Sequence, residues 1–201
     1  RGAAWLASML PEGLTALLLG GNLIQGAGAE ALFASIPASA LKLNLQNNYI
    51  TFETMLESTQ LPEGLTLLNL SGNRLGDHGV TWLGGRLPQG LNTLWLEGVL
   101  LGDAGVEALL ASLPPDLQSL ELGSNRIALE AMQKHMLLPV NMVRLNLSKN
   151  RICDRGAAWL ASRLPANLAT LLLDGNLIGD TGAQALARAL SSLPELTTVN
   201  L

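Results

Sequence analysis

The residue types that usually carry chemistry are few in this chain, and their spacing does not bring them together. The two histidines, His78 and His135, are 57 residues apart, and neither lies in a metal-ligand spacing such as H-E-x-x-H. The single cysteine, Cys153, has no local motif that would supply the base and orienting group of a nucleophile, so we expect it to be structural. The sequence therefore predicts no enzyme activity, no metal site and no cofactor.

Composition and charge narrow the possible partners. Apolar residues make up 48% of the chain and charged residues 14%, against about 25% charged residues in ordinary soluble domains. The formal net charge is −4, which argues against nucleic-acid binding. No apolar run approaches the roughly 20 residues that span a bilayer, so we expect no membrane insertion. A single cysteine and no evident signal peptide favour a cytoplasmic location.

The elements that position these residues come from a repeat. The phrase RGAAWLASMLP opens the chain and returns as RGAAWLASRLP at residue 155. The motif L-x-x-L-x-L-x-x-N-x-(I/L) starts near residues 14, 40, 65, 91, 117, 142 and 168, and a truncated eighth copy starts at 196. Three repeats form a cassette of 77 residues, on which Trp5, Trp82 and Trp159 fall in register. We predict a single repeat domain over residues 1–201, in a chain that is a fragment of a longer one.

Each repeat predicts a short strand, a turn and a helix. The L-x-L alternation is strand periodicity, and the asparagine follows where the chain turns. The repeated asparagines are expected to form a ladder of buried amides that bond backbone groups, with Val99 as the one gap; the ladder comprises Asn22, Asn48, Asn73, Asn125, Asn150 and Asn176. Val99 is either a tolerated defect whose backbone groups bond water or part of an altered binding loop.

The helices are expected after the turns. Aspartates at their starts are predicted N-caps, namely Asp77, Asp103, Asp154 and Asp180, and a proline follows most of the helices. The segments ITFETMLESTQ and IALEAMQKHM of repeats two and five are one residue shorter than the others. The three tryptophans of the 77-residue period are expected to pack against the core.

The chain resembles leucine-rich-repeat proteins of the ribonuclease-inhibitor type. The resemblance rests on the strand motif followed by G-D-x-G-A-x-x-L-A-x-x-L, and it covers nearly all of the chain. It implies an α/β fold, a right-handed solenoid forming a horseshoe arc with parallel strands on the concave face and helices on the convex face. It also implies a non-catalytic scaffold that binds another protein on the concave face. The L-P-x-x-L lead-in is similar to that of leucine-rich-repeat effectors of intracellular bacteria, which would extend the predicted location to a host cytosol.

The predicted partner-binding residues lie on the concave strand face. The central column of that face includes Leu18, Asn44, Asn69, Trp95, Glu121, Asn146 and Leu172, and three charged residues beside it, Glu97, Arg144 and Asp174, complete the predicted set. Trp95 either anchors a partner or lies flat on its neighbours. The charges either orient a charged partner or only keep the surface soluble.

Other functions remain open at this stage. One alternative is a substrate-recruiting or regulatory repeat domain of a larger protein, such as a bacterial effector. A third is a small-GTPase activator that uses Arg74, Arg126 or Arg151, although edge salt bridges with Asp77 or Asp154 are the simpler role for these arginines. The uncapped ends of the stack also suggest possible self-association.

Overall fold

The computed structural model describes residues 2–51, 53, 56–130 and 137–201. Eight short parallel strands form one open sheet whose order follows the chain from β1 to β8. The strands are β1 Ala16–Leu18, β2 Lys42–Asn44, β3 Leu67–Asn69, β4 Thr93–Trp95, β5 Ser119–Glu121, β6 Arg144–Asn146, β7 Thr170–Leu172 and β8 Thr198–Asn200. All eight motif copies thus contribute one strand each to the same sheet, as the repeat predicts.

The alternation of side chains in each strand sets the position of the core. The middle residue of each strand pairs in register with the middle residue of the next, for example Leu68 with Leu94 and Leu94 with Leu120. These leucines are completely buried, as are those two residues further along each chain segment, such as Leu70 and Leu96. One repeat could not bury this row alone, so neighbouring repeats must stack to cover it.

The described residues also form six helices: α1 Gly2–Ala7, α2 Gly26–Ser35, α3 Gly76–Gly84, α4 Asp103–Leu110, α5 Asp154–Ala161 and α6 Asp180–Leu190. They contact one another in pairs, α1 with α2, α3 with α4 and α5 with α6. The described parts of the short repeats two and five contain no helix between these pairs. Residues 131–136, which include His135, and residues 52, 54 and 55 of the two short segments lie outside the described residues. The predicted α/β leucine-rich-repeat solenoid is confirmed.

The asparagine ladder is present from Asn48 onward and joins each of its turns to the preceding repeat, whereas the predicted member Asn22 is exposed and bonds only its own turn. The buried Asn73 accepts the backbone N–H of Ile50 (3.0 Å) with its Oδ1 and donates its Nδ2 to the carbonyls of Leu45 (2.9 Å) and Leu70 (2.8 Å). Asn48, Asn125, Asn150 and Asn176 repeat this pattern. One amide therefore satisfies donors and acceptors of two successive turns.

Val99 leaves a gap in the ladder, and the backbone around it adopts a different conformation from that of the other turns. Its side chain is fully buried. Gly76, in the repeat before, adopts a left-handed conformation (φ 60°) and donates its N–H to the carbonyl of Val99 (2.9 Å). Leu100 is also left-handed (φ 67°), and Asn125 accepts two backbone N–H groups, those of Val99 and Leu101. The turn after β4 is thus altered in shape.

The prediction that the aspartates are N-caps is wrong. The N-cap residues are Leu75, Gly102, Cys153 and Gly179, and none of them makes a side-chain cap bond. The carboxylates instead reach the following repeat. Asp77 accepts the N–H of Gly102 (2.6 Å), and Asp154 accepts those of Gly179 (2.7 Å) and Gly182 (3.0 Å). These carboxylates therefore cap the start of the next helix rather than their own.

The three periodic tryptophans differ in their surroundings. Trp82 stacks on Phe33 with ring centroids 6.5 Å apart, and the guanidinium of Arg86 lies over the Trp82 ring, 4.3 Å from its centroid. Trp159 packs against the core under Arg163 in the same way. Core packing is thus confirmed for both, but it is wrong for Trp5, which is 69% exposed. Met9 stands where the other two cassettes have these arginines.

Candidate protein-binding face

The strand face is the side of the sheet that points away from the core. It consists of the first and third residues of each strand, and the third residues form its central column. The pairing register places Asn69 beside Trp95 and Trp95 beside Glu121, and it aligns the column from Leu18 to Asn200 without a shift. Neighbouring members are therefore about 4.8 Å apart along the sheet.

Pointing away from the core does not make every member of the column accessible. Asn69 is fully buried and Asn146 nearly so, whereas Leu18 is 65% exposed. Each of the asparagines folds back on its own chain: the Oδ1 atoms of Asn44, Asn69 and Asn146 accept the backbone N–H two residues later. This Asx-type bond stabilises the turn and uses acceptors that a partner would otherwise need.

Trp95 is the central aromatic residue of the strand face. It is partly buried, between Asn69 and Glu121. Its Nε1 atom is shielded from solvent and has no hydrogen-bond partner among the described residues. Because a buried N–H without an acceptor is costly, the indole is the least satisfied group on this face.

The charged residues of the predicted set are not all free to meet a partner. Arg144 and Glu121 form an ion pair through Nε and Oε1, the only such pair in the described part of the chain. The opposite charges of Glu121 and Arg144, both members of the predicted binding set, therefore neutralise each other. Glu97 stays exposed, and Asp174 is half-buried.

The apolar companions of Trp95 do not form one patch with it. Leu18 lies on β1 and Leu172 on β7, each three strands from Trp95. That separation is about 14 Å, and the intervening positions hold the asparagines and Glu121. The strand face therefore offers three separate apolar points in a polar setting.

A second column runs along the edge of the strand face, one residue after each ladder position. We call it the edge column: Leu23, Tyr49, Arg74, Leu100, Arg126, Arg151 and Leu177. Every member is exposed. Arg74 contacts the ring of Tyr49 with its guanidinium 6.0 Å from the ring centroid. The predicted salt bridges of these arginines with Asp77 and Asp154 are wrong, because both carboxylates bind backbone N–H groups instead.

Cys153 and His78 belong to different repeats. Cys153 is partly exposed beside α5, and its thiol donates a hydrogen bond to Oε1 of Glu130 (2.8 Å). His78 is exposed on α3. Over residues 2–51, 53, 56–130 and 137–201, no three of the histidines, cysteines and carboxylates come close enough to bind a metal ion. In the same residues, no helix has both the length and the apolar character to cross a membrane.

Sequence reasoning missed two features of this surface. One is the role of the motif aspartates, whose recurring partner is a glycine of the next G-D-x-G segment, as in Asp154 and Gly182. The constant Asp–Gly spacing was the available signal. The other is the burial of Asn69 and Asn146, which depends on how each side chain folds back and leaves no mark in the repeat pattern.

Comparisons with known proteins agree with the fold. A family model described as Leucine Rich repeat matches residues 65–83 and 166–187. No curated protein sequence matches the chain significantly. None of these findings distinguishes the ribonuclease-inhibitor type, which stays a prediction.

Three similar structures come from bacteria. YopM from Yersinia enterocolitica is 24% identical, with a TM-score of 0.59 over 94% of this chain and 33% of its own. A Leptospira interrogans leucine-rich-repeat protein is 24% identical, with a TM-score of 0.59 over 97% of this chain and 50% of its own. Internalin C2 from Listeria monocytogenes is 22% identical, with a TM-score of 0.62 over 100% of this chain and 91% of its own. The chain thus spans a third to a half of the first two.

Proposed function

Taking the chain as a leucine-rich-repeat solenoid, we propose that it is a non-catalytic scaffold that binds another protein through the strand face around Trp95. The leucine-rich-repeat fold supports a role in protein interaction. The observation that carries the proposal is Trp95 itself, a half-buried indole at the middle of an eight-stranded surface, with an N–H that lacks an acceptor among the described residues. A partner carbonyl or carboxylate would supply that acceptor after a small rotation of the ring. Glu97 is an exposed polar neighbour that such a partner would also contact.

Replacing Trp95 tests this assignment. We expect Trp95→Ala to weaken partner capture by about thirtyfold, the loss typical of an interface hot spot of 2 kcal/mol. Trp5→Ala is the matched control, because Trp5 is an exposed tryptophan on α1, away from the strand face. The partner is identified by affinity capture and its Kd is measured by calorimetry, while circular dichroism checks that both variants stay folded. Equal affinities of the two variants would overturn the site assignment.

A second candidate is a recruiting or regulatory repeat domain within a larger protein, such as a bacterial effector. The bacterial origin of the similar structures favours it, as does the coverage of only 33% and 50% of two of them. The complete open reading frame decides this candidate, because an additional catalytic domain would support it and an uninterrupted repeat array would contradict it. We keep a cytoplasmic or host-cytosolic location as part of the same proposal, on the strength of the single cysteine.

The GTPase-activator candidate depends on the edge column. Arg74, Arg126 and Arg151 are exposed, and none of them pairs with a carboxylate of a described residue. An arginine in this state is available to a phosphoryl group. Single-turnover GTP hydrolysis by a panel of small GTPases, with and without the protein, tests the candidate. An unchanged rate across the panel would remove it.

A further inference from the structure

The edge column differs from the central column in accessibility. Its apolar members stand clear of the surface: Leu23 is 78% exposed, Tyr49 49% and Leu100 45%. The central column, by contrast, commits its asparagines to backbone bonds and Glu121 to Arg144. On this side of the molecule, the edge column is thus the row whose side chains are all exposed.

Its charge is also of one sign. The charged members are Arg74, Arg126 and Arg151, and the exposed Lys149 stands two positions before Arg151. The edge column contains no acidic residue, although the whole chain carries a formal charge of −4. In the described residues no carboxylate lies within ion-pair distance of these three arginines. Positive charge is therefore concentrated along one edge of an acidic molecule.

Tyr49 and Arg74 border two shallow clefts near one end of the edge column. The guanidinium lies over the ring, and a shallow cleft opens on each side of the pair. One cleft is bordered by Gln25 and Thr51, and the other by Asn22 and Gly72. Tyrosine and arginine are the residue types that most often dominate binding surfaces, because they combine apolar area with directed hydrogen bonds.

From these observations we propose that the edge column binds an extended acidic segment of a partner protein that carries apolar side chains among its carboxylates. The inference rests on the proposed scaffold function and names the chemistry of the partner. Arg126 and Arg151 belong to neighbouring repeats, about 5 Å apart, and Arg74 lies two repeats before Arg126, about 10 Å away. Three residues of extended chain cover that second distance. Carboxylates at such intervals pair with the guanidinium groups, and the apolar side chains between them contact Leu100 and Tyr49.

Direct titration with designed peptides tests the proposal. The probe is a fluorescein-labelled peptide of glutamate and leucine with a glutamate at every third position, about ten residues long, enough to cross the repeats from Tyr49 to Arg151. Two further peptides replace every glutamate by glutamine or every leucine by serine. The protein variants are the double charge reversal Arg126→Glu with Arg151→Glu, and the single reversal Arg155→Glu as the matched control. Arg155 is exposed in the first turn of α5, where a glutamate is compatible with the helix.

The expected result is binding of the glutamate–leucine peptide that weakens with salt and falls at least about tenfold in the double variant, with no change in Arg155→Glu. Absence of binding to the wild type, or equal affinity in both variants, would overturn the proposal. Equal binding of the serine peptide would show a general polyanion site and also contradict it. Trp95→Ala is expected to keep the peptide affinity, so this titration and partner capture through the strand face can fail independently.

Discussion

At the scale of single residues, the ladder asparagines hold the turns in place. An amide is well suited to this role because one side chain supplies both an acceptor and two donors. In Asn73 all three are used inside the protein, on backbone groups of its own repeat and of the repeat before. The buried turn is stable because these groups, which water cannot reach, are nevertheless bonded.

We therefore expect Asn73→Ala to lower the free energy of unfolding by about 3 kcal/mol or more, because it leaves several buried backbone groups without a partner. Asn22→Ala is the matched control. Asn22 occupies the same motif position but is exposed, and its Nδ2 donates only to carbonyls of its own turn. Urea denaturation followed by circular dichroism measures both. A similar loss in the two variants would contradict the role of the ladder.

At the scale of elements, the helices are held to one another through the motif aspartates and glycines. Three of the four carboxylates, those of Asp77, Asp103 and Asp154, accept backbone N–H groups of the next repeat. The small size of glycine permits this approach. A Cβ at Gly182 would lie 2.6 Å from Oδ1 and 2.9 Å from Cα of Asp154.

The aspartate contact predicts an asymmetry between two copies of the motif. Asp154→Ala should cost about 1–3 kcal/mol more than Asp180→Ala, because Asp154 accepts two N–H groups of α6. Asp180 holds the same place in α6, is exposed, and makes no hydrogen bond of this kind in the described residues. Thermal unfolding of both variants gives the comparison. Both substitutions also remove a charge at a helix start, so that contribution cancels.

Gly156 and Gly90 are expected to differ in how far substitution by alanine changes the stability of the protein. A Cβ at Gly156 would overlap the backbone carbonyl of Ala128, which cannot rotate away, so Gly156→Ala should destabilise by about 2–3 kcal/mol. Gly90 has nothing within 4 Å of the same atom, and Gly90→Ala should be neutral or slightly stabilising. Chemical denaturation distinguishes them. A neutral Gly156→Ala would show that the repeats shift to make room.

These elements also show how far the sequence alone leads. The strands and the ladder follow from the period of the leucines and the fixed place of asparagine, since both patterns report on burial. The role of the aspartates was predicted wrongly because a carboxylate at a helix start usually accepts N–H groups of its own helix. Here the accepted N–H groups belong to the next repeat, and this contact exists only when the repeats are stacked. The strand face could be located from the repeat, but the exposure of its members could not, because Asn69 and Asn146 turn back onto their own chains.

At the scale of the whole molecule, the helices of the described residues form three pairs, and repeats two and five lie in the two intervals between these pairs. Trp82 extends across the first of these intervals to Phe33 on the preceding helix pair. Trp159 packs in the second interval against the core that includes Leu110 and Leu138. In each of these two intervals an indole thus contributes to the packing between neighbouring helix pairs.

Trp82→Ala should therefore weaken the junction between two helix pairs, with a loss of about 3 kcal/mol or more. Stability in such a stack depends mainly on neighbouring repeats. We expect native-state hydrogen exchange to accelerate in β2 and β3 and to change little in β6 and β7. Trp5→Ala, at an exposed site of the same register, should leave the exchange pattern unchanged. Uniform acceleration across the sheet in Trp82→Ala would contradict a stack of locally coupled repeats.

The two kinds of turn contact point in opposite directions: Asn73 serves the repeat before it, and Asp77 serves the repeat after it. If a single repeat were inserted, deleted or exchanged, one of these contacts would lack its partner at each new junction. The tryptophans would also be shifted relative to the intervals in which they pack. Lengthening the stack by recombination should accordingly succeed in blocks of 77 residues, the interval that separates Trp5, Trp82 and Trp159.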